Sequence, residues 1–233
     1  MKYKAVIFDL FGTLVDNFSL REQQDILARL ASIVSAPADE FMRLWFGTFN
    51  ERATGVFGSL EGNIEHICRK LGILAKAPQI QQAARIRRDF TRRALRPRPD
   101  AVSVLSRLKS RGYKTALISD CSAETPAAWG DTPLAPLIDV AVLSCLVGLK
   151  KPDPRIYQKA AQQLGVEPQT CLYVGDGSSG ELTGAATVGM YPVLLRLPGE
   201  DSTDAHQIDR EDWNGPTISS LTEVLTLVGL TKQ

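Results

Sequence analysis

The sequence is poor in the features that mark membrane proteins, nucleic-acid-binding proteins and repeat proteins. None of its apolar runs approaches the ~20 residues needed to cross a bilayer, so we expect no membrane partner. Its 27 lysines and arginines are balanced by 26 acidic residues, which gives a formal net charge of +1. A balanced charge offers no general attraction to nucleic acid or to an anionic membrane. We find no internal repeat and no low-complexity tract.

Cysteine is also scarce. The four cysteines, Cys68, Cys121, Cys145 and Cys171, form no C-x-x-C pair, so zinc binding and thioredoxin-like chemistry have little support. Asp9 interrupts the first apolar run too early for a secretory signal. We therefore expect reduced thiols and a cytoplasmic location. For the oligomeric state we expect either a monomer or a homodimer.

What the sequence does contain is two kinds of secondary-structure pattern. Apolar residues recur at helical spacing from residue 17 to about residue 93, and the proline-rich connector of residues 96–100 follows. Beyond it, short strand patterns alternate with helical ones, which is typical of a parallel sheet with helices on both faces. Residues 198–216 read as a polar surface excursion, and residues 218–228 as a closing helix.

These patterns predict an α/β protein with two parts. Residues 1–16 and 94–233 would form a Rossmann-like parallel sheet core flanked by helices. Residues 17–93 would form a smaller all-helical domain. The helical part would thus be inserted between the first and the second strand of the core.

The segment around which the chain is organised lies near its start. Residues 5–8 are apolar strand formers without polar alternation, which predicts a strand buried on both faces. Asp9 follows at once, and Gly12 and Thr13 come next in a turn pattern. A carboxylate at the carboxyl end of a buried strand lies where open α/β sheets bind their ligands.

Three later segments fit the same scheme. One strand pattern ends at Ser119, a Lys-Pro-Asp-Pro sequence begins at Lys151, and another strand pattern is followed by Asp176, with Glu181 a few residues on. If these strands lie side by side, their carboxyl ends bring all four residues and Asp9 to one crevice. Each motif alone is weak evidence, whereas four in this order form a specific pattern.

The order of these motifs resembles the haloacid dehalogenase superfamily of hydrolases. The resemblance spans roughly residues 4–195. It points to the subgroup that carries a helical cap inserted after the first core strand, which is where the helical segment lies. The resemblance therefore implies a Rossmann-like core, a cap whose surface sets specificity, and hydrolase activity on a small anionic molecule.

The resemblance also implies catalytic and substrate-binding roles. Asp9 would be a nucleophile that forms an aspartyl-phosphate, and Ser119 and Lys151 would stabilise the transferred phosphoryl group. Substrate contacts are expected from the turns beside these residues and from the cap, at Phe11, Gly12, Thr13, Asp120, Trp45 and Arg52.

A divalent cation is expected at the same place. Asp9 and Asp176 in one crevice would repel each other, and Mg²⁺ removes that repulsion while it accepts substrate phosphate oxygens. The resemblance adds the backbone carbonyl of Phe11 as a ligand. It gives Glu181 the task of holding a metal-bound water or orienting Lys151.

Phe11 departs from the pattern of the family's phosphatases, which usually carry at this position an Asp that protonates the leaving group. General acid–base catalysis is typically worth ~10²–10⁴-fold, and Phe cannot transfer a proton. We favour a Mg²⁺-dependent phosphohydrolase of small phosphorylated metabolites, because the second acid, Asp176, has an obvious use as a metal ligand. A metal-free 2-haloacid dehalogenase with Asp9 as nucleophile is the alternative that Phe11 supports. A non-enzymatic protein that binds a phospholigand or a protein partner is the third reading.

Seven arginines lie among residues 85–98 against a single acid, Asp89. Ile86, Phe90 and Ala94 recur at four-residue spacing and predict the buried face of a helix. We expect the arginines on a solvated face, and the alternative is a basic rim that attracts anionic substrates. Few aromatic residues interleave with the run, so we expect no nucleic-acid partner.

Overall fold

The computed structural model describes residues 2–199 and 211–230, and within them the chain folds around a six-stranded sheet. The strands are β1 (Ala5–Phe8), β2 (Lys114–Ser119), β3 (Val140–Leu143), β4 (Cys171–Gly175), β5 (Tyr191–Leu195) and β6 (Thr217–Ile218). Their order across the sheet is β3-β2-β1-β4-β5-β6, and all pairings are parallel. The predicted α/β fold with a Rossmann-like parallel sheet is confirmed.

The first strand lies at the centre of this sheet, between β2 and β4. All four residues of β1 are fully buried, which explains why its sequence shows no polar alternation. Phe8 stands in register with Leu117 on one side and Val174 on the other. Because the strands are parallel, the residues that end or follow β1, β2 and β4 meet at one edge of the sheet.

Six helices lie between β1 and β2, and the first five of them form a unit of their own. These five are α1 (Leu20–Ile33), α2 (Ala38–Gly47), α3 (Phe49–Ala53), α4 (Leu60–Lys70) and α5 (Ala77–Ala94). These helices bury an apolar cluster of their own, in which Phe41, Trp45 and Ile64 are fully buried. We call this helical unit the cap. Its exact limits at residues 17 and 93 stay a prediction.

The remaining helices cover the two faces of the sheet. They are α6 (Ala101–Ser110), α7 (Glu124–Trp129), α8 (Ser144–Val147), α9 (Pro154–Leu164), α10 (Glu181–Thr187) and α11 (Glu223–Leu227), with 3₁₀ turns at Ala135–Leu137, Pro168–Thr170 and Ser178–Gly180. Val6 and Phe8 belong to one apolar cluster, and Ala5 and Ile7 belong to the other. The core therefore has one apolar layer on each side of β1.

The carboxyl-terminal segment differs from the predicted closing helix over residues 218–228. Thr217 and Ile218 form β6, because buried Ile218 pairs with Leu195 at the sheet edge, and only Glu223–Leu227 is helical. Of the predicted polar excursion over residues 198–216, residues 200–210 lie outside the described part of the chain. In the described ranges, no helix is both long enough and apolar enough to span a membrane.

Candidate active site

The site lies where β1, β2 and β4 end. Asp9 follows β1, Ser119 is the last residue of β2, and Asp176 follows β4. The Asp9 N–H donates to the carbonyl of Val174 at 2.9 Å, which continues the β1–β4 ladder one residue beyond the strand. Lys151 enters from the loop before α9, and all four site side chains are buried. The sheet therefore brings together the residues that the four motifs predicted.

The turn after Asp9 passes so close to Asp176 that residue 12 must be glycine. Gly12 has φ +84°, and a Cβ atom there would lie 2.3 Å from Asp176 Oδ2. The Gly12 N–H donates to the Val15 carbonyl at 2.8 Å, so it serves the turn itself. Thr13 is fully buried, and its hydroxyl has no hydrogen-bond partner within the described residues.

Lys151 is held between two carboxylates. Its Nζ lies 2.6 Å from Asp9 Oδ1 and 2.6 Å from Glu181 Oε2. Burial acts to lower the pKa of Lys151, but the charges of Asp9 and Glu181 raise it well above its usual range. The ammonium therefore stays protonated and gives the site one fixed positive charge.

Asp9 and Glu181 have raised pKa values. Burial raises the pKa of Asp9 to about 6, Lys151 opposes that rise, and the charge of Asp176 adds to it. Burial likewise raises the pKa of Glu181 against the opposing charge of Lys151. Glu181 also accepts hydrogen bonds from the Tyr173 hydroxyl at 2.7 Å and the Gly177 N–H at 2.9 Å. Three buried acids thus share one buried ammonium group.

Asp9, Asp176 and Glu181 form a cluster with the geometry of a cation site. Each offers a carboxylate oxygen, and these oxygens lie within 4.8 Å of one another. Asp9 Oδ2 is buried and has no hydrogen-bond partner. Asp176 is fixed by the Asn17 amide, which donates to Oδ2 at 3.1 Å, and by the Ser178 N–H, which donates to Oδ1 at 3.0 Å. Crowded carboxylates with an unpartnered oxygen favour a hard divalent cation.

The end of β2 adds two polar groups. The Ser119 hydroxyl is fully buried without a partner in the described residues. Asp120 accepts the backbone N–H of Lys151 on Oδ1 at 3.0 Å, and its Oδ2 has no partner. Burial raises the pKa of Asp120, which Lys151 partly offsets. Within the described residues, the site therefore holds a hydroxyl group and a carboxyl oxygen that have no hydrogen-bond partner, and Asp120 also lines the cavity.

A cavity connects this core cluster with the cap. Among the predicted residues, Asp9, Phe11, Asp120, Lys151 and Arg52 line it. Four further cap residues complete much of the wall, namely Phe18, Gln23, Phe49 and Arg87. The Phe11 ring lies against Phe18, with ring centroids 4.6 Å apart. The cavity thus has charged groups in the part that core residues line, which we call the core end, and in the part that cap residues line, which we call the cap end, and its wall contains aromatic rings.

Arg52 and Trp45, the two cap residues expected to contact substrate, occupy different places. Arg52 is buried at the cavity wall, where Nη1 donates to Ser122 Oγ and Nη2 to the Trp45 carbonyl, both at 2.9 Å. Trp45 lies fully buried in the apolar cluster of the cap, and its ring centroid is 4.5 Å from the Arg52 guanidinium carbon. Trp45 therefore meets the cavity through Arg52.

The arginine-rich helix corrects one expectation. Arg87 was expected on a solvated face, but it is 2% exposed, and its Nε pairs with Glu124 Oε1 at 3.1 Å. The helix α5 is rotated from the predicted face, so that Ala83, Arg87 and Phe90 are buried and Ile86 is only partly buried. Arg88, by contrast, is partly exposed and pairs with Glu61 at the surface.

Sequence reasoning missed several of the residues that complete the site. Arg87 carried a detectable signal, because it stands three residues before Phe90 and four after Ala83 on the helical stripe. Asn17 and Gln23 carried none, since isolated amides near a helix start are common. Glu124 also carried none, because only the packing of α7 against α5 brings it to Arg87.

The fold and this site define a hydrolase, and comparison with known proteins identifies the family. The family model described as haloacid dehalogenase-like hydrolase matches residues 3–189. The chain belongs to that family. The match covers all four motifs and the whole of the cap.

Similar proteins carry two kinds of name. Phosphatase MT3486 of Mycobacterium tuberculosis is 29% identical over 205 residues, which are 86% of this chain and 90% of that protein. Glyceraldehyde 3-phosphate phosphatase of Pyrococcus furiosus is 28% identical over 231 residues, covering 96% and 93%. (S)-2-haloacid dehalogenase 4A of Burkholderia cepacia is 29% identical over 208 residues, covering 84% of each chain.

A solved structure shows the same fold. The structure of a HAD phosphatase from Thermococcus onnurineus matches with a TM-score of 0.67 at 23% identity, over 97% of this chain and 98% of that one. At this identity the likeness concerns the fold alone.

Proposed function

We propose that the protein is a Mg²⁺-dependent phosphohydrolase of small phosphorylated molecules that works through an aspartyl-phosphate on Asp9. The observation that carries the proposal is the buried acid cluster of Asp9, Asp176 and Glu181 around one ammonium, that of Lys151. A second acid beside the nucleophile has a clear use in holding a metal and none in binding a haloacid anion. The relatives named phosphatases support the same choice.

The residues present fit Mg²⁺. Asp9 Oδ2 is buried without a partner, and the oxygen donors of Asp9 and Asp176 are the type that Mg²⁺ prefers. These two side chains would hold the ion, together with the carbonyl of Phe11. Glu181 would act mainly on Lys151, because its carboxylate already accepts hydrogen bonds from Lys151 Nζ, the Tyr173 hydroxyl and the Gly177 N–H. When bound, the ion supplies positive charge that binds and polarises phosphoryl oxygens.

The protein's own groups then account for both steps of hydrolysis. The Asp9 carboxylate attacks phosphorus, while Lys151, whose Nζ lies 2.6 Å from Asp9 Oδ1, holds that carboxylate in place. The Ser119 hydroxyl donates to a phosphoryl oxygen as the ester oxygen leaves. Water next attacks the phosphorus of the aspartyl-phosphate, which releases phosphate and regenerates Asp9.

The leaving group sets the limit of this chemistry. Phe11 lines the cavity and supplies no proton to the departing oxygen. Asp120 is an alternative proton donor. Its Oδ2 has no hydrogen-bond partner in the described residues, and burial favours its protonated form. Asp16 is exposed, pairs with Arg98 and lines a different pocket. We propose that acyl and aryl phosphates, whose leaving groups need least protonation, are turned over best.

The remaining predictions form part of the same proposal. Residues 17–93 would act as the cap domain that closes over the core of residues 1–16 and 94–233. Gly12 and Thr13 would shape the phosphate-binding turn, and Trp45 would support Arg52. The enzyme would work in the cytoplasm with its four cysteines free, as a monomer or a homodimer.

A second function is favoured by one observation. Phe11 is an aromatic residue at the position where the family's haloacid dehalogenases carry one, and a relative is named (S)-2-haloacid dehalogenase 4A. In that function Asp9 would attack the halogen-bearing carbon and release halide without a metal. Asp176 opposes it, because its carboxylate would repel the anionic haloacid.

The test of the proposed function is capture of the covalent intermediate. Wild-type protein mixed with acetyl phosphate and Mg²⁺ and quenched in acid should gain the mass of one phosphoryl group on the peptide that contains Asp9. Asp16→Asn provides the matched control on the same loop and should be labelled equally, because Asp16 faces solvent. A label on any other residue, or no label while phosphate is released, would remove the covalent mechanism.

A further inference from the structure

Two buried arginines stand at the cap end of the cavity without enough acid to balance them. Arg52 and Arg87 are 7% and 2% exposed, and their guanidinium carbons lie 4.5 and 5.1 Å from the centroid of the same Trp45 ring. In the described part of the chain, Glu124 is the carboxylate that pairs with them, and it pairs with Arg87. Glu51, beside Arg52 in the sequence, points to solvent. The cap end therefore holds one excess buried positive charge.

Each of these arginines also has a buried N–H group with no hydrogen-bond acceptor among residues 2–199 and 211–230. Arg52 uses Nη1 on Ser122 and Nη2 on the Trp45 carbonyl, and its Nε is buried without a partner. Arg87 uses Nε on Glu124, and its Nη1 is likewise buried and unpartnered. Buried charged donors are costly to leave unpaired, so a ligand acceptor at this place would be stabilising.

The electrostatics of Arg52 agree with a missing anion. Burial lowers the pKa of Arg52 to about 10, Glu124 opposes this, and the like charge of Arg87 adds to the lowering. The acids Glu124 and Glu51 both act to raise the pKa of Arg52, but they do not offset its burial. A bound anion would relieve both the repulsion and the desolvation.

The cap end and the core end belong to the same cavity. Arg52 and Arg87 line the same cavity as Asp9 and Lys151, and the rings of Phe11 and Phe18 lie along its wall. A phosphate ester with its phosphorus at Asp9 would direct its leaving group to the arginines. The leaving group should then carry the second anionic group.

The charge balance selects a carboxylate over a second phosphate. One excess positive charge matches one negative charge. The second oxygen of Glu124, Oε2, is buried without a partner and would repel a dianion. A planar carboxylate also fits the geometry of guanidinium N–H groups.

Building on the proposed phosphohydrolase activity, we propose that Arg52 and Arg87 form a carboxylate subsite, so that the substrates are small phosphorylated carboxylic acids. The core end would bind the phosphoryl group, and the cap end would select the acid group of the part that leaves. In this proposal Arg87 takes part in substrate recognition. It lies on the buried face of α5, away from the exposed arginines of the same helix.

The wild-type enzyme tests this without any variant. Carboxymethyl phosphate and 2-carboxyethyl phosphate are each compared with their carboxamide isosteres, which match them in size but lack the charge. With Mg²⁺ present, kcat/KM for at least one acid should exceed that for its amide by about tenfold or more. A ratio near one or below one at both lengths would overturn the subsite.

Variants assign the preference to the arginines. Arg52→Gln removes the excess positive charge and leaves the Arg87–Glu124 pair intact, so the acid-to-amide ratio should fall toward one. Arg52→Lys should recover part of the ratio. Arg88→Gln is the matched control, because Arg88 pairs with Glu61 on the outer side of the same helix α5, and it should keep the wild-type ratio. An undiminished ratio in Arg52→Gln would refute the assignment.

The outcomes separate this inference from the proposed function. 4-Nitrophenyl phosphate, which lacks a carboxylate, is assayed alongside. Mg²⁺-dependent phosphate release from it without any acid preference would refute the subsite alone. No phosphate release from any ester would overturn both the subsite and the phosphohydrolase.

Discussion

The two ends of the cavity are built in opposite ways. The core end brings Asp9, Lys151 and Asp176 together from three separate segments at the edge of one sheet, with an excess of negative charge. The cap end holds Arg52 and Arg87 on two helices of one packed unit, with an excess of positive charge. In the functions proposed above, the core end carries out the reaction and the cap end selects the group that leaves, and this contrast in charge is what supports that division.

The largest effect should follow from Asp9→Asn at the core end. The amide keeps the shape of the side chain but removes the attacking charge, so kcat should fall by about 10⁴-fold or more. Steady-state phosphate release measures the loss, and thermal unfolding checks that the variant is folded. Near-normal turnover by a folded Asp9→Asn protein would refute nucleophilic catalysis by this residue.

At the cap end, Arg87→Gln should act on stability. It leaves Glu124 buried without its partner, and removing one member of a buried ion pair costs about 3–5 kcal/mol. Arg88→Gln removes a partly exposed ion pair on the same helix and should cost no more than ~1 kcal/mol. Urea unfolding gives both values, and equal costs for the two variants would mean that Arg87 is not buried as described.

A double-mutant cycle with Glu124→Gln separates the interaction between Arg87 and Glu124 from the separate contributions of the two side chains to stability. The double variant Arg87→Gln/Glu124→Gln should recover part of the lost stability, because neither member of the pair is left as a buried charge without its partner. Strictly additive losses in the double-mutant cycle would show that the two side chains do not interact.

Metal binding should distinguish Asp176 from the residue that orients it. Asp176→Asn should weaken the apparent affinity for Mg²⁺ by about 10²-fold, because it removes one of two proposed anionic ligands. Asn17→Ala, which removes only the hydrogen bond to Asp176 Oδ2, should weaken it by about tenfold. Titration of activity with Mg²⁺ measures both, and an unchanged affinity in Asp176→Asn would argue against a metal at this place.

Phe11 lines the cavity beside Phe18, and replacing it should change how the rate depends on the leaving group. The wild-type log rate should decrease steeply as the leaving-group pKa rises along a series of aryl and alkyl phosphates. Phe11→Asp should flatten this slope and raise alkyl phosphate turnover by up to ~10²-fold, if the new carboxyl group reaches the leaving oxygen. Equal wild-type rates on alkyl and aryl esters would point to another acid, with Asp120→Asn as the next variant.

The two ends also differ in how well the sequence predicts them. The core end follows from local patterns, because Asp9, Ser119 and Asp176 each end a recognisable strand and parallel strands bring such ends together. Pairing Glu124 with Arg87 depends on how α5 packs against α7, and no local pattern encodes that contact. Likewise, β6 was missed because the two residues Thr217 and Ile218 are too few to show a period.

The central claim is that Asp9 attacks phosphorus in a site that requires Mg²⁺. It is tested most directly by parallel assays of phosphate release from 4-nitrophenyl phosphate and chloride release from 2-chloropropionate, each with Mg²⁺ and with excess chelator. We predict phosphate release that needs Mg²⁺ and no chloride release under either condition. Chloride release that persists in chelator, without phosphate release, would contradict the claim and identify a dehalogenase.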